Sequence, residues 1–392
     1  MTPRSASPRL APALALALAC GGDDGPTGTA SATSAGSTEA SAATTVATAA
    51  MSATGPETAT SDATATASTT SSSTTAAATN TTADTTTAGD TSPVLLTITL
   101  HLENSTFDAA YFAALDDFAA TFEAHGGRLT LEPRDSVVKA AAGPPMLLDW
   151  KALEARGHAV GSHAAIGGVD PIPLDMFTAQ AKMRHDQLAP RVTRLDHVSG
   201  NCGDVDWVKG VVDAGFRATT ATTVLCLYSM DPTDRPDPYK SLDCVGPTDP
   251  LCHQPFPSDL SARIHPWRAR SGADWLSDDP AGELVIFPGS GSLPCLAEEA
   301  ENPGDTLPSC TFAADDAALA LADLDAAIAA ADPNLVNTFY WVWGSWSLTP
   351  AEAPALEAFL VEIDARVAAG DVAWANVGAM LDAYDAWLRA NP

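Results

Sequence analysis

The chain has 392 residues, 46% of them hydrophobic, and carries 20 Lys and Arg against 49 Asp and Glu, a net charge of −29. A surface that acidic repels phosphate backbones, so nucleic acid is excluded as a partner, and the charge is read as a solubility feature. Residues 93–392 are long enough to bury one large core.

Arg4 and Arg9 precede a short apolar run, Leu10 to Ala19, that stops at Cys20. This predicts a signal peptide over residues 1–19, too short to span a bilayer. Ala17-Leu18-Ala19-Cys20 resembles a bacterial lipobox, with Ala17 where a leucine is usual. The resemblance implies lipidation of Cys20 and an exported protein, anchored to a bacterial membrane at the outer membrane or cell surface. The plainer alternative is an ordinary cleaved secretion signal. Residues 20–92 are mostly Ala, Thr, Ser and Gly. Such a segment buries too little apolar surface to offset the entropy of ordering, and is predicted to be a disordered tether.

Within residues 93–392, strands and helices are predicted to alternate. Val94–Leu102 is a β-rich run, followed by a helix over Phe107–His125 with Phe107, Tyr111, Leu115, Phe118 and Phe122 at helical spacing. Arg128–Leu131 is a short strand, Leu147–Arg156 a helix closed by Gly157, and His158–His163 the next strand. Leu174–Leu188 reads as helix, Arg194–Val198 as strand, Asp204–Ala214 as helix and Arg217–Leu225 as strand. Tyr228–Leu260, rich in Pro, Asp and Cys, reads as an insertion. Arg263–Trp267 and Glu283–Phe287 are strands, Ala313–Ala331 a helix and Leu335–Val342 an apolar strand. Pro350–Ala369, Val372–Ala375 and Gly378–Leu388 close the chain as helix, strand and helix. Repeated βα order predicts a parallel α/β barrel or a doubly wound sheet. No Gly-x-Gly-x-x-Gly follows the first strand, which favours the barrel.

Setting Cys20 aside leaves six cysteines, an even number in an exported chain, which suggests disulfides. Neighbours in sequence are Cys202 with Cys226, Cys244 with Cys252, and Cys295 with Cys310; proximity alone suggests this pairing.

In βα barrels the active site lies at the C-terminal strand ends. The predicted strands end at His101 and Glu103, at His163, at Asp196 and His197, at His265, Trp267 and Arg268, and at Trp341, Trp343 and Trp346. His101, Glu103 and His163 would supply two imidazoles and a carboxylate, a catalytic zinc set with a position open to water. Ordinary hydrogen-bonded histidines are the alternative. Asp196 and His197 read as a base with its orienting partner, or as a loop anchor. Trp267, Trp343 and Trp346 read as sugar-stacking rings or as rim packing. His125, His158, His185 and His253 read as structural or solvated.

Gly157–His163 resembles the second motif of the polysaccharide deacetylase family (the NodB homology domain), usually Gly-His-Glu-Ile-Gly-Asn-His. Leu95–Asn104 stands where that family has a Thr-Phe-Asp-Asp-Gly strand, and His197–Asn201 where it has an Arg-x-Pro-x-Gly loop. Val205–Ala214 with Gly215-Phe216, and the ending Gly370–Leu381, follow in the family's order. The resemblance implies a distorted (β/α) barrel of about seven parallel strands. It also implies a divalent metal, zinc by preference, and hydrolysis of acyl groups on amino sugars, a carbon–nitrogen bond cleavage. Glu103 takes the place of the metal aspartate and His163 that of the first metal histidine. The base aspartate aligns with Leu102, the second metal histidine with Gly167, and no histidine stands in Tyr340–Trp346. His101 is the expected substitute ligand, with Asp196, His197 or His265 as base and acid and Trp267, Arg268, Trp343 and Trp346 at the substrate. Two further readings stay open: a non-catalytic glycan-binding domain of the same fold, and a two-carboxylate glycosidase using Glu103 and Asp196.

Overall fold

A computed structural model of the protein describes residues 92–103, 106–244, 249–301, 310–344 and 349–391. The expected signal segment, Cys20, the expected tether up to residue 91, and Trp346 lie outside the described residues. The strands are β1 (Val94–Leu102), β2 (Leu129–Pro133), β3 (Ala159–Val160), β4 (Ser162–His163), β5 (His197–Ser199), β6 (Ala218–Thr219), β7 (Trp267–Ala269), β8 (Leu284–Ile286), β9 (Thr338–Gly344) and β10 (Val372–Trp374). The helices are α1 (Ala109–Ala124), α2 (Asp135–Ala141), α3 (Trp150–Ala155), α4 (Leu174–Leu188), α5 (Trp207–Asp213), α6 (Pro250–His253), α7 (Leu260–Arg263), α8 (Leu296–Glu301), α9 (Ala314–Ala330), α10 (Ala353–Ala369) and α11 (Val377–Ala390).

β1 organises the fold because its two faces differ chemically. Leu96, Ile98, Leu100 and Leu102 are fully buried in one cluster with Phe112, Leu115 and Phe122 of α1 and with Phe339, Trp341 and Trp343 of β9. The alternate residues Thr97, Thr99 and His101 therefore point the other way, into the ring of strands. Each buried Leu or Ile there is worth about 1.5–3 kcal/mol of transfer free energy. Asp108 caps α1 by accepting from the Tyr111 N–H, and Gly126, at φ +69°, ends the segment in a conformation that suits glycine.

All neighbouring pairs around the ring are parallel: β9 with β1, β1 with β2, β2 with β3, β4 with β5, β5 with β6, and β6 with β8. The ring closes where Ser292, beyond β8, bridges Val342 of β9. β3 and β4 are two halves of one bent strand, split at Gly161, whose N–H donates to the Leu131 carbonyl. Counted that way the ring has seven parallel members, in line with the parallel barrel that the βα order favours and the seven-stranded distorted form that the family resemblance implies. β10 pairs with the first residues of β1, and β7 lies antiparallel along β8.

Three disulfides join Cys202 to Cys226, Cys244 to Cys252 and Cys295 to Cys310, each to its neighbour in sequence. Among the described residues no helix is long and apolar enough to cross a membrane.

Among the elements that differ from the sequence expectation, three bear on where expected site residues fall. The strand expected over Arg217–Leu225 stops after Thr219, where the chain turns through Ala221 at φ +51°. The strand expected over Arg263–Trp267 begins only at Trp267, because Asp259 caps a short helix, α7, through the Ser261 N–H. The strand expected to end at Val198 instead starts at His197 and runs to Ser199.

Gly161 is held to glycine by space. A Cβ there would lie 2.2 Å from His197 Nε2, inside the buried imidazole. Gly161→Ala is therefore expected to lose about 1–3 kcal/mol of stability as the ring is forced aside. The loss should shrink in a His197→Ala background, as urea-unfolding midpoints of the four proteins would reveal.

Candidate metal centre

His101 and Glu132 are partners in the β1–β2 register, so their side chains rise on the same face at the same level. His163 ends β4, the next stave, and its ring lies 4.5 Å from that of His101, centroid to centroid. One ligand atom from each of His101, Glu132 and His163 lies within 4.8 Å of the others. This trio stands at the C-terminal ends of three neighbouring strands, where a parallel barrel places its chemistry.

The donor atoms fit a cation. His101 Nε2 and Glu132 Oε2 are 3.0 Å apart, yet both are buried without an aligned hydrogen bond. His163 Nδ1 shares a hydrogen bond of 2.9 Å with Ser199 Oγ, which fixes the ring and leaves Nε2 facing the cluster. Two imidazoles and one carboxylate, one imidazole already oriented by Ser199, make a set that could hold a divalent metal ion.

Glu132 is fully buried. Burial pushes its pKa up, but the neighbouring His101 and His197, with a contribution from Ser199, hold the carboxyl well below the usual range. The Thr220 hydroxyl donates to Glu132 Oε1, and His197 Nε2 stands 3.6 Å from the same oxygen. Burial opposes charge on His101 as well, but the adjacent carboxylate outweighs it and raises that pKa. Burial and the nearby His101 lower the pKa of His163, and burial lowers that of His197.

Glu103 sits beside the trio. Its Oε2 is 3.3 Å from His163 Nε2 and 3.9 Å from Arg134, and it remains one-quarter exposed. Burial alone would raise its pKa; His163 first, then His101 and Arg134, bring it down to about 2.

The structure thus brings together His101, Glu103 and His163 and adds Glu132, which sequence reading missed. The strand expected over Arg128–Leu131 stops one residue short of Glu132, which received no reading of its own. The available signal was alternation: Thr130 and Glu132 continue on β2 the polar face that Thr97, Thr99 and His101 form on β1.

Other expected site residues stand elsewhere. Asp196 precedes β5, at its N-terminal end, ion-paired with Arg194 and, at 3.8 Å, with Arg217. A strand end was expected there; the actual start of the strand puts Asp196 on the far side of the ring from Glu103. His197 begins β5 but reaches inward to Glu132, so the two neighbours act apart. His265 lies before β7, next to Ile264, whose carbonyl accepts from the first residue of β9, Thr338; that is the N-terminal end of β9. Trp343 is fully buried against Phe118 and Phe312, which closes it to a sugar ring. Trp267 is buried too, its Nε1 donating to the Trp275 carbonyl, and Arg268 turns to Asp278 and the Pro280 carbonyl.

Two of the departures from the family motifs have a steric cause. A Cβ at Gly167, where φ is +88°, would lie 2.3 Å from the Cys202 carbonyl oxygen, so no histidine fits. Leu102 points into the apolar layer under α1, so no base can act from it.

No family model matches the chain, and no curated protein matches it. Solved structures similar to it include a protein assigned as a polysaccharide deacetylase from Mycobacterium smegmatis, at 13% identity over 75% of this chain and 91% of that one, with a TM-score of 0.45. A CE4 family pseudoenzyme from Bacillus anthracis is 10% identical over 74% of this chain and 66% of that one, with a TM-score of 0.33. The peptidoglycan deacetylase PdaC from Bacillus subtilis, in a mutant form, is 9% identical over 75% of this chain and 91% of that one, with a TM-score of 0.29.

The depressed pKa of Glu103 makes folding bind fewer protons than the unfolded chain, whose carboxyl titrates near 4.5, between that value and about 2. Its contribution to stability is complete above the unfolded value and is lost as pH falls toward the folded one. Glu103→Gln should therefore flatten the acid limb of stability against pH. Urea midpoints of the metal-free protein at pH 7, 4 and 3 should converge with those of the wild type as pH falls.

Proposed function

We propose that the chain is a metal-dependent hydrolase that removes acyl groups from an extracellular or cell-surface carbohydrate, with His101, Glu132 and His163 as the metal-holding residues. The observation that carries it is the convergence of two buried atoms, His101 Nε2 and Glu132 Oε2, which face each other at 3.0 Å without an aligned hydrogen bond, with His163 at adjoining strand ends. The carbohydrate assignment is supported by the motif order around Gly157–His163, which resembles polysaccharide deacetylases. Zinc is the ion that the donor set favours. A divalent cation supplies Lewis acidity, polarising an acyl carbonyl and making water a stronger acid.

The chain's own groups divide the remaining work. His163, braced by Ser199, and Glu132, braced by Thr220, keep their donor atoms aimed at one point. Glu103 stays ionised beside His163 and is exposed enough to accept a hydrogen bond from the attacking water. Arg134, half exposed at the same rim, draws Glu103 to one side. Glu103 thus moves from the expected ligand set to the water side, and Glu132 takes its place.

The other two readings lack support of this kind. A sugar-stacking surface loses Trp267 and Trp343 to the core. A glycosidase pair needs two carboxylates flanking one bond, whereas Asp196 is tied to Arg194 and Arg217 at the opposite end of its strand. Export on a lipidated Cys20, with residues 20–92 as tether, belongs to the same proposal and accords with three disulfides.

Metal-free protein titrated with zinc should take up one ion per chain. His101→Ala and Glu132→Ala should abolish uptake, and Asp196→Asn should leave it unchanged. The loaded wild type should release acetate from N-acetylglucosamine oligomers, and Glu103→Gln should slow release by about 100-fold or more while zinc still binds. Zinc uptake that survives Glu132→Ala would sink the assignment of ligands.

A further inference from the structure

Two buried polar rings occupy the inside of the barrel near Glu132, and each is accommodated by a glycine. His197 lies against Gly161. Tyr340 of β9 lies against Gly289, where a Cβ would be 2.2 Å from the ring. Tyr340 is fully buried, and its hydroxyl is fully used. It donates to the Phe287 carbonyl at 2.6 Å and accepts from the Ala221 N–H. It therefore ties the segment just after β8 to the loop after the neighbouring strand β6.

The tie falls on a strained residue. Ala221 has φ +51°, a left-handed conformation that costs an alanine energy. Among the described residues only one other non-glycine residue has positive φ: Ala165, two positions after His163. Strain of this kind persists only where surrounding bonds over-determine it. Ala221 directly follows Thr220, whose hydroxyl donates to Glu132 Oε1. Thr222, on its other side, is fixed by donating to the Phe256 carbonyl. The loop is thus held at both ends of the strained residue and at the residue itself.

We propose that Tyr340 is a positioning residue for the metal centre: by holding Ala221 in its left-handed turn, it sets Thr220 against Glu132 and fixes the carboxylate's second oxygen toward His101 and His163. The inference rests on the metal reading given above. It adds a route, from β9 through the β6 loop to the ligand, that none of the motifs contains. Hydrogen bonds to a ligating carboxylate commonly change metal affinity by about 10–100-fold when removed.

The test is calorimetric zinc titration of the metal-free full chain, with urea unfolding of each protein alongside. Tyr340→Phe and Thr220→Val should each weaken zinc binding by about tenfold or more. The double variant should bind no more weakly than Thr220→Val, because Tyr340 acts through Thr220. Thr220→Ser, which keeps the hydroxyl, should restore binding. Thr97→Val, which removes a buried hydroxyl bonded to the Arg128 carbonyl, should lower stability without changing zinc affinity. Unchanged affinity in Tyr340→Phe, or losses that multiply in the double variant, would overturn the proposal while leaving the metal centre standing. If Tyr340→Phe fails to fold, the split between Thr220→Val and Thr220→Ser decides whether the strut reaches the ligand. A wild type that takes up no zinc overturns the metal reading and this inference together.

Discussion

A fully buried carboxylate is the constraint around which this barrel is built. Glu132 stands at the end of β2 with no exposure, and a charge in that position is tolerable only if its neighbours supply compensating charge and hydrogen bonds. They come from three staves: His101 from β1, His197 from β5 and Thr220 from the end of β6. Each lies on a different segment of chain, so the arrangement exists only when the ring is closed. Fold and site are therefore one energetic problem, in which closing the ring satisfies Glu132 and a satisfied Glu132 permits the ring to close.

Glycine resolves the steric side of that problem. Polar rings that reach the barrel interior need volume, and Gly161 and Gly289 provide it beneath His197 and Tyr340. Gly161 also lets one strand serve two neighbours, bending so that β3 pairs with β2 and β4 with β5. Gly200 has a related role under His163, where a Cβ would lie 2.8 Å from the ring at a φ of +63°. The Cys202–Cys226 disulfide fastens the loop after β5 to the segment after β6, so the segments that follow Ser199 and Thr220 are covalently joined.

The candidate metal centre lies at one end of the barrel and a network of ion pairs at the other. Asp196, Arg194, Arg217 and Asp382 form a charge network at the N-terminal side of β5, while His101, Glu103, Glu132 and His163 gather beyond the C-terminal strand ends. Both networks contain the residue types expected of an active site. Only strand polarity separates them, and an error of a few residues in placing β5 moves Asp196 from one end of the barrel to the other.

The sequence by itself determined the alternation of strands and helices, the parallel barrel, and two of the three residues of the candidate metal centre. These are local properties: apolar periodicity sets element type, and a polar residue closing an apolar strand marks its end. His101 and His163 were legible for that reason, as was Glu103 beside them. Tertiary structure alone decided the rest. Glu132 became a candidate ligand only through its register with His101 and its distance from His163. Asp196, His265 and Trp343 left the site because strand start, strand direction and burial are fixed by pairing with distant segments. The turn at Ala221 became a positioning device only through the hydroxyl of Tyr340, 119 residues away in the chain, a contact that no local pattern encodes.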